Sequence, residues 1–197
     1  MWLDGSYYVS LDTEFIAPNL TKTGLVSLGL ATGDDRFYAV NRDMDTTMEG
    51  LNRESQQWMR RNVWPHLPGW RPEEFDRSHM EVMAYEEIAV NVEAFFDRVM
   101  VEVNDDIDKV VLFAHCGAQD LIRLRLLWND DWSILPRSVP NWGDDVKRMR
   151  LAVHLKSEDL PEQDEATRHH ALLDAVHELS VVRFITENDP HRGDGLV

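Results

Sequence analysis

Asp12 and Glu14 stand two apart in the run from Val9 to Phe15, V-S-L-D-T-E-F. Their neighbours Tyr7, Tyr8, Val9, Leu11 and Phe15 favour a strand, in which residues i and i+2 share a face. Carboxylates that close repel one another unless a cation lies between them or water solvates both. A pair of this kind suits Mg²⁺ or Mn²⁺, hard ions that take oxygen ligands from a few carboxylates and substrate phosphates. An exposed strand face with two solvated acids is the simpler alternative, and the D-x-E spacing alone does not separate the two.

Two more acids sit among apolar residues. Asp120 follows the apolar run K-V-V-L-F-A at 109–114 and shares an inward helix face with Leu124 and Leu127. The end of a central strand is where open α/β sheets build sites, although the helix dipole alone also favours an acid there. Asp174 lies opposite the stripe Leu172, Ala175, Val176 and Leu179, in line with His170, His177, Glu178, Val181 and Ile185. That is either a local conflict of the kind functional sites carry or a solvated face with some apolar residues on it. Asp12, Glu14, Asp120 and Asp174, with His169 or His170 as general base, make up a two-metal phosphodiester-cleaving set.

The elements that must bring these residues together are readable in outline. Besides the first strand, Leu25–Leu30 and Arg36–Val40 read as strands, and Gly33-Asp34-Asp35 between them signals a turn. The three suggest an antiparallel meander. Helices are expected over 51–63, 85–99, 117–128, 144–155 and 170–186, the second from Tyr85, Ile88, Ala89, Val92, Phe95, Phe96 and Val99 at helical spacing. The run at 109–114 reads as a buried central strand. Residues 70–83 read as a loop, 132–135 as a short strand and 157–167 as an acidic connector. Together these give one α/β domain over 1–187, a mixed β-sheet flanked by helices, with a C-terminal tail at 188–197.

Composition narrows the function. With 43% apolar residues and seven tryptophans, 197 residues suffice for one sizeable core, which excludes a disordered chain. No run approaches the length of a membrane span, and no signal peptide is expected from the Met1-Trp2-Leu3-Asp4 start. A single cysteine, Cys116, excludes an internal disulfide and cysteine-based zinc sites, so a cytoplasmic location is expected. The net charge of −16 disfavours coating a long polyanion, leaving short contacts at a metal-loaded site.

D-T-E-F at 12–15, G-A-Q-D at 117–120 and H-H-A-L-L-D-A at 169–175 resemble the three motifs of the DEDDh 3′→5′ exonuclease superfamily. L-V-S-L-G-L at 25–30, F-Y-A-V at 37–40, W-M-R-R-N-V-W-P-H-L-P at 58–68 and L-P-R-S-V-P at 135–140 resemble its polyadenylate-specific exoribonuclease AS group. The resemblance runs from about Tyr8 to about Ile185. It implies a ribonuclease H-like fold and two divalent ions, Mg²⁺ or Mn²⁺, held by Asp12, Glu14, Asp120 and Asp174. It implies His169 as general base, since the motif sets histidine five residues before the aspartate, whereas helical periodicity alone selects His170. Phe15 and Ile16 would lie against the terminal base or sugar, although a core role for Phe15 reads equally well. In the second motif, His115 and Gln119 stand where many members carry an N-x-x-F-D pattern.

The function so implied is hydrolysis of single-stranded RNA from its 3′ end, with adenylate-rich ends as one preference, to nucleoside 5′-monophosphates. A DNA exonuclease of the same chemistry is the nearest alternative, and a non-catalytic RNA-end-binding member the next. The five intact motif residues argue against the latter. Lys147, Arg148, Arg150 and Arg168 are cations near the third motif, read mostly as solvated. His154, His177 and His191 show no partner pattern. Tryptophans in loops suggest a homodimer surface, and related enzymes are commonly dimeric.

Overall fold

A computed structural model describes residues 1–68, 70–71, 74–115 and 117–190. In chain order the elements are β1 (Trp2–Leu3), β2 (Ser6–Phe15), β3 (Leu25–Ala31), β4 (Arg36–Asn41), α1 (Arg53–Asn62), β5 (Trp70–Arg71), β6 (Glu74–Phe75) and β7 (Val82–Met83). They continue with α2 (Tyr85–Glu102), β8 (Val110–Ala114), α3 (Gly117–Leu126), β9 (Asp144–Asp145), α4 (Val146–Ala152) and α5 (Ala171–Glu187). Among the described residues the main sheet has seven strands in the order β7-β4-β3-β2-β8-β9, with β1 paired to β2. β2, β3 and β4 form the antiparallel meander, while β8 runs parallel to β2, so the sheet is mixed.

The strand alternation decides which side chains meet which helix. Tyr7, Val9 and Leu11 of β2, Leu28 and Leu30 of β3, Ala39 of β4 and Leu112 of β8 face one side. There they pack on Ile88, Val92, Phe95 and Phe96 of α2 and Leu124 of α3. The other side meets α5 and α4, where Ala31 and Phe113 pack with Val146, Ala175, Val181, Val182 and Ile185. Both stripes of α5 are therefore covered, which explains why the side carrying Asp174 is partly apolar.

Gly29, directly opposite Asp12 in the β2–β3 ladder, lets the start of α5 settle onto the sheet. A Cβ at Gly29 would lie 2.4 Å from the Ala171 carbonyl carbon and oxygen. Only a residue without a side chain permits that approach, and it brings the third motif down to β2.

The structure departs from the sequence reading in three places. Residues 132–135 are a turn rather than a strand, because the Asp131 carboxylate accepts from the amide and hydroxyl of Ser133 at 2.8 and 2.7 Å. The expected helix at 144–155 begins later, since Asp144 and Asp145 pair with β8 and Asp145 then caps α4 by accepting from the Arg148 amide at 3.0 Å. Within the expected loop at 70–83, β5 and β6 pair antiparallel and β7 extends the sheet beside β4. These two-residue strands are too short to show a period. The last helix ends at Glu187, and of the expected tail residues 191–197 lie outside the described residues.

Candidate metal centre

β2 carries Ser10, Asp12 and Glu14 on the face turned toward α5, and its register against β3 shifts between Glu14 and Phe15. Bulges of this kind re-aim side chains and are frequent beside functional sites. Thr13, on the opposite face, holds Asp120: the Thr13 amide donates to Asp120 Oδ1 at 3.0 Å and its hydroxyl at 2.6 Å. Asp120 is 3% exposed in the first turn of α3, above the buried Leu124, as its spacing implies.

Asp174 closes the site from α5. Its Oδ2 accepts from the His169 backbone amide at 2.9 Å, and its Oδ1 accepts from Gln163 Nε2. His169 lies just before the helix with φ +64°. That left-handed conformation is uncommon outside glycine and is held here by the Asp174 contact. It turns the His169 Nδ1 to within 3.7 Å of Glu14 Oε1. Ligand atoms of Glu14, His169 and Asp174 all lie within 4.8 Å of one another. His170 points elsewhere: its ring stacks on Tyr38 at 4.4 Å between centroids, with Nδ1 buried and unpaired. The two adjacent histidines are thus divided between the rim of the acid cluster and the core.

Electrostatics agree with a site built for cations. Burial, and then the carboxylates of Asp120, Glu14, Glu178 and Asp174, push the Asp12 carboxyl well above its ordinary range. Burial likewise pushes Asp120 up to about 6 against the bonds from Thr13, and raises Glu14 against the opposing pull of His169. The His169 imidazole is raised by its contact with Glu14. Asp12 Oδ2 is buried with no hydrogen-bond partner. An orphaned carboxylate oxygen among further acids is costly by itself. Divalent cations are the complement such oxygens require, so these residues fit a divalent ion.

A cavity of about 470 Å³ opens beside Glu14, lined by Phe15, Leu51, Ser55, Trp58 and Met59 among others. Trp58 also meets the His169 ring edge-on, at 4.8 Å and 77°. Phe15 has one ring face covered by the Arg123 guanidinium, 3.3 Å from the ring centroid. Arg123 is itself 3% exposed and donates to the backbone and side-chain oxygens of Gln119 at 3.0 and 2.9 Å. Ile16 is 2% exposed and packs in the core with Val26, Val40 and Met59, so its side chain supports the cavity from beneath.

Solved structures place this architecture. E. coli exonuclease I in complex with a dT13 oligonucleotide matches with a TM-score of 0.56 at 14% identity, over 96% of this chain and 43% of that one. The zinc-bound E. coli ExoI–ssDNA complex matches with a TM-score of 0.59 at 10% identity, over 97% and 42%. The fold is ribonuclease H-like. A product-bound exonuclease I repeats the likeness, with a TM-score of 0.57 at 11% identity over 97% and 46%. This chain spans less than half the length of those exonucleases. No protein-family model matches the sequence, and no curated protein matches it. The ribonuclease H-like sheet carries the acid pair on a central strand, with the remaining acids supplied by α3 and α5.

Three contributors escaped the sequence reading. Trp58 offered only an exposed helical position, which is ordinary for a tryptophan near an interface. Thr13 was hidden between the two acids it supports. Glu178 was visible at i+4 from Asp174, on the same partly apolar side, and that spacing was the signal for it.

Proposed function

We propose that this chain is a metal-dependent 3′→5′ exoribonuclease that hydrolyses single-stranded RNA, adenylate-rich 3′ ends included, to nucleoside 5′-monophosphates. The observation that carries the reading is the unpaired, buried Asp12 Oδ2 amid further acids, with His169 on the adjoining rim and a partly apolar cavity beside Glu14. In this reading Asp12, Glu14, Asp120 and Asp174 hold two Mg²⁺ or Mn²⁺ ions. When bound, the ions neutralise charge on the scissile phosphate and make water a better nucleophile.

The chain's own residues supply the rest. Glu14 orients the His169 Nδ1 side, which leaves Nε2 to take a proton from the attacking water. The water oxygen bonds to phosphorus as the bond to the 3′-oxygen of the penultimate nucleotide breaks; solvent water protonates that oxygen, and His169 returns its proton to solvent. Thr13 keeps Asp120 in place, and Gln163 with the His169 amide does the same for Asp174. Trp58, about half exposed, offers the terminal base a stacking wall in the cavity that Phe15 also lines. The acidic surface limits binding to a few nucleotides. No described helix is long and apolar enough to cross a membrane. A cytoplasmic location and a homodimer belong to the same proposal. Trp132 and Trp142, exposed at 60% and 49%, are surface for a dimer, and light scattering tests it.

A DNA exonuclease is the second reading, favoured by the single-stranded DNA complexes of the E. coli neighbours. The 2′-hydroxyl separates the two at a site. The test is a time course on 5′-labelled oligoadenylate, oligouridylate and oligodeoxyadenylate with Mg²⁺ or Mn²⁺. One-nucleotide shortening of RNA that disappears in Asp12→Ala supports the proposal. Faster shortening of the deoxy strand selects the DNA reading, and no metal-dependent release rejects both.

A further inference from the structure

Glu178 lies one turn beyond Asp174 on α5 and turns to the same side, toward β2. It is 6% exposed. Its carboxylate accepts from Ser10 Oγ at 3.5 Å, and Ser10 is two residues before Asp12 on the same face of β2. His115 Nδ1 stands 3.8 Å from Oε1. The His115 ring is 63% exposed, so solvent screens what it offers. No arginine or lysine pairs with Glu178 among the described ion pairs. Asp12, Asp120 and Asp174 all lie within electrostatic reach of it.

A buried acid serving only to tie a helix to a strand is a poor choice here. A glutamine would donate or accept at Ser10 without adding charge to an already crowded cluster. The excess negative charge has a use if cations are to be held beside Asp12, whose buried Oδ2 has no partner. We infer that Glu178 is a fifth carboxylate of the divalent-ion site, acting from behind Asp12 to raise the site's affinity for metal. It supplies charge and an acceptor for water around the ions, a supporting place that the four motif acids leave open. The inference rests on the metal-dependent reading of the site.

The experiment is a calorimetric titration of the full chain with Mn²⁺, with thermal melts in EDTA, for wild type, Glu178→Gln and Ser10→Ala. Glu178→Gln should bind Mn²⁺ about 10–100-fold more weakly, the range for loss of a supporting group around a metal site. Its melting temperature in EDTA should stay close to wild type, since glutamine keeps the size of the side chain and the contact with Ser10. Ser10→Ala, which keeps the charge, should bind Mn²⁺ within about twofold of wild type by the same argument. Wild-type affinity in Glu178→Gln overturns the inference. So does a lower melting temperature in EDTA or a variant that does not fold, because Glu178 would then be a structural group. If wild type itself binds no Mn²⁺, the metal-dependent reading fails instead.

Discussion

Thr13 donates twice to one oxygen of Asp120, from its amide at 3.0 Å and from its hydroxyl at 2.6 Å. The residue between the two acids of the first motif therefore positions the acid of the second, across 107 residues of chain. Thr13→Val removes the hydroxyl donor while keeping shape and strand preference. A hydrogen bond to a charged group contributes about 1.5–3 kcal/mol, and urea denaturation should register a loss of that order. Turnover should fall with it, and Thr13→Ser should restore most of both.

The paired histidines separate in space, His169 beside Glu14 and His170 against Tyr38, and the proposed reading gives them different work. His169→Ala should lower kcat about 10²–10⁴-fold, the range for a general base, with little change in melting temperature. His170→Ala should keep most turnover and lose about 0.5–1.5 kcal/mol of stability, because it gives up the stack on Tyr38. The opposite pattern in steady-state kinetics would move the base to His170. Glu14 raises the His169 imidazole, so in an NMR pH titration of the metal-free protein it should protonate above an ordinary imidazole.

Stability of the metal-free protein should fall as pH rises. Burial raises Asp120 from 3.8 to about 6 in the folded chain, so between those values the folded state binds more protons than the unfolded state. The linkage slope is then negative, and the stability is fully present below 3.8 and lost through about 6. At about 1.4 kcal/mol per unit the loss is of the order of 3 kcal/mol. Asp12 and Glu14, raised in the same direction, add to it. Urea melts in EDTA at stepped pH measure this. Saturating Mg²⁺ should reverse the trend, adding about 2.7 kcal/mol at one hundred times its Kd.

Trp58→Ala should weaken productive binding more than it weakens the fold. The indole is 45% exposed, lines the cavity beside Glu14 and braces the His169 ring. Loss of one base–aromatic stack costs about 1–3 kcal/mol, which corresponds to roughly 5–150-fold in kcat/KM on short oligonucleotides. Trp58→Phe should recover most of it.

Gly29→Ala is expected to be disproportionately harmful. The added methyl would sit 2.4 Å from the Ala171 carbonyl, so α5 must lift from the sheet and carry Asp174 with it. Overpacking of a rigid contact costs about 1–3 kcal/mol. Circular dichroism should show a folded but less stable chain, and Mn²⁺ affinity should fall with the stability.

The alternation of β2, the central apolar run at 110–114 and the helical stripe of α2 were all legible, because each has a period longer than its own ambiguity. The candidate acids were legible for a related reason: a carboxylate in an apolar stretch is a local inconsistency that stands out without coordinates. The two-residue strands β7 and β9 were not, since nothing periodic fits in two residues and their pairing is decided by neighbours far along the chain.

Helical spacing around Asp174 selected His170 as the base, and the motif resemblance selected His169. Their physical separation comes from the left-handed backbone at His169, the amide bond to Asp174 and the aromatic face of Tyr38, which arrives from β4. Local sequence sets which side chains are available and which face of an element they share. Tertiary packing alone brings β2, α3 and α5 close enough to strip Asp12 Oδ2 of water and partners, and that buried oxygen among further acids is what calls for a cation.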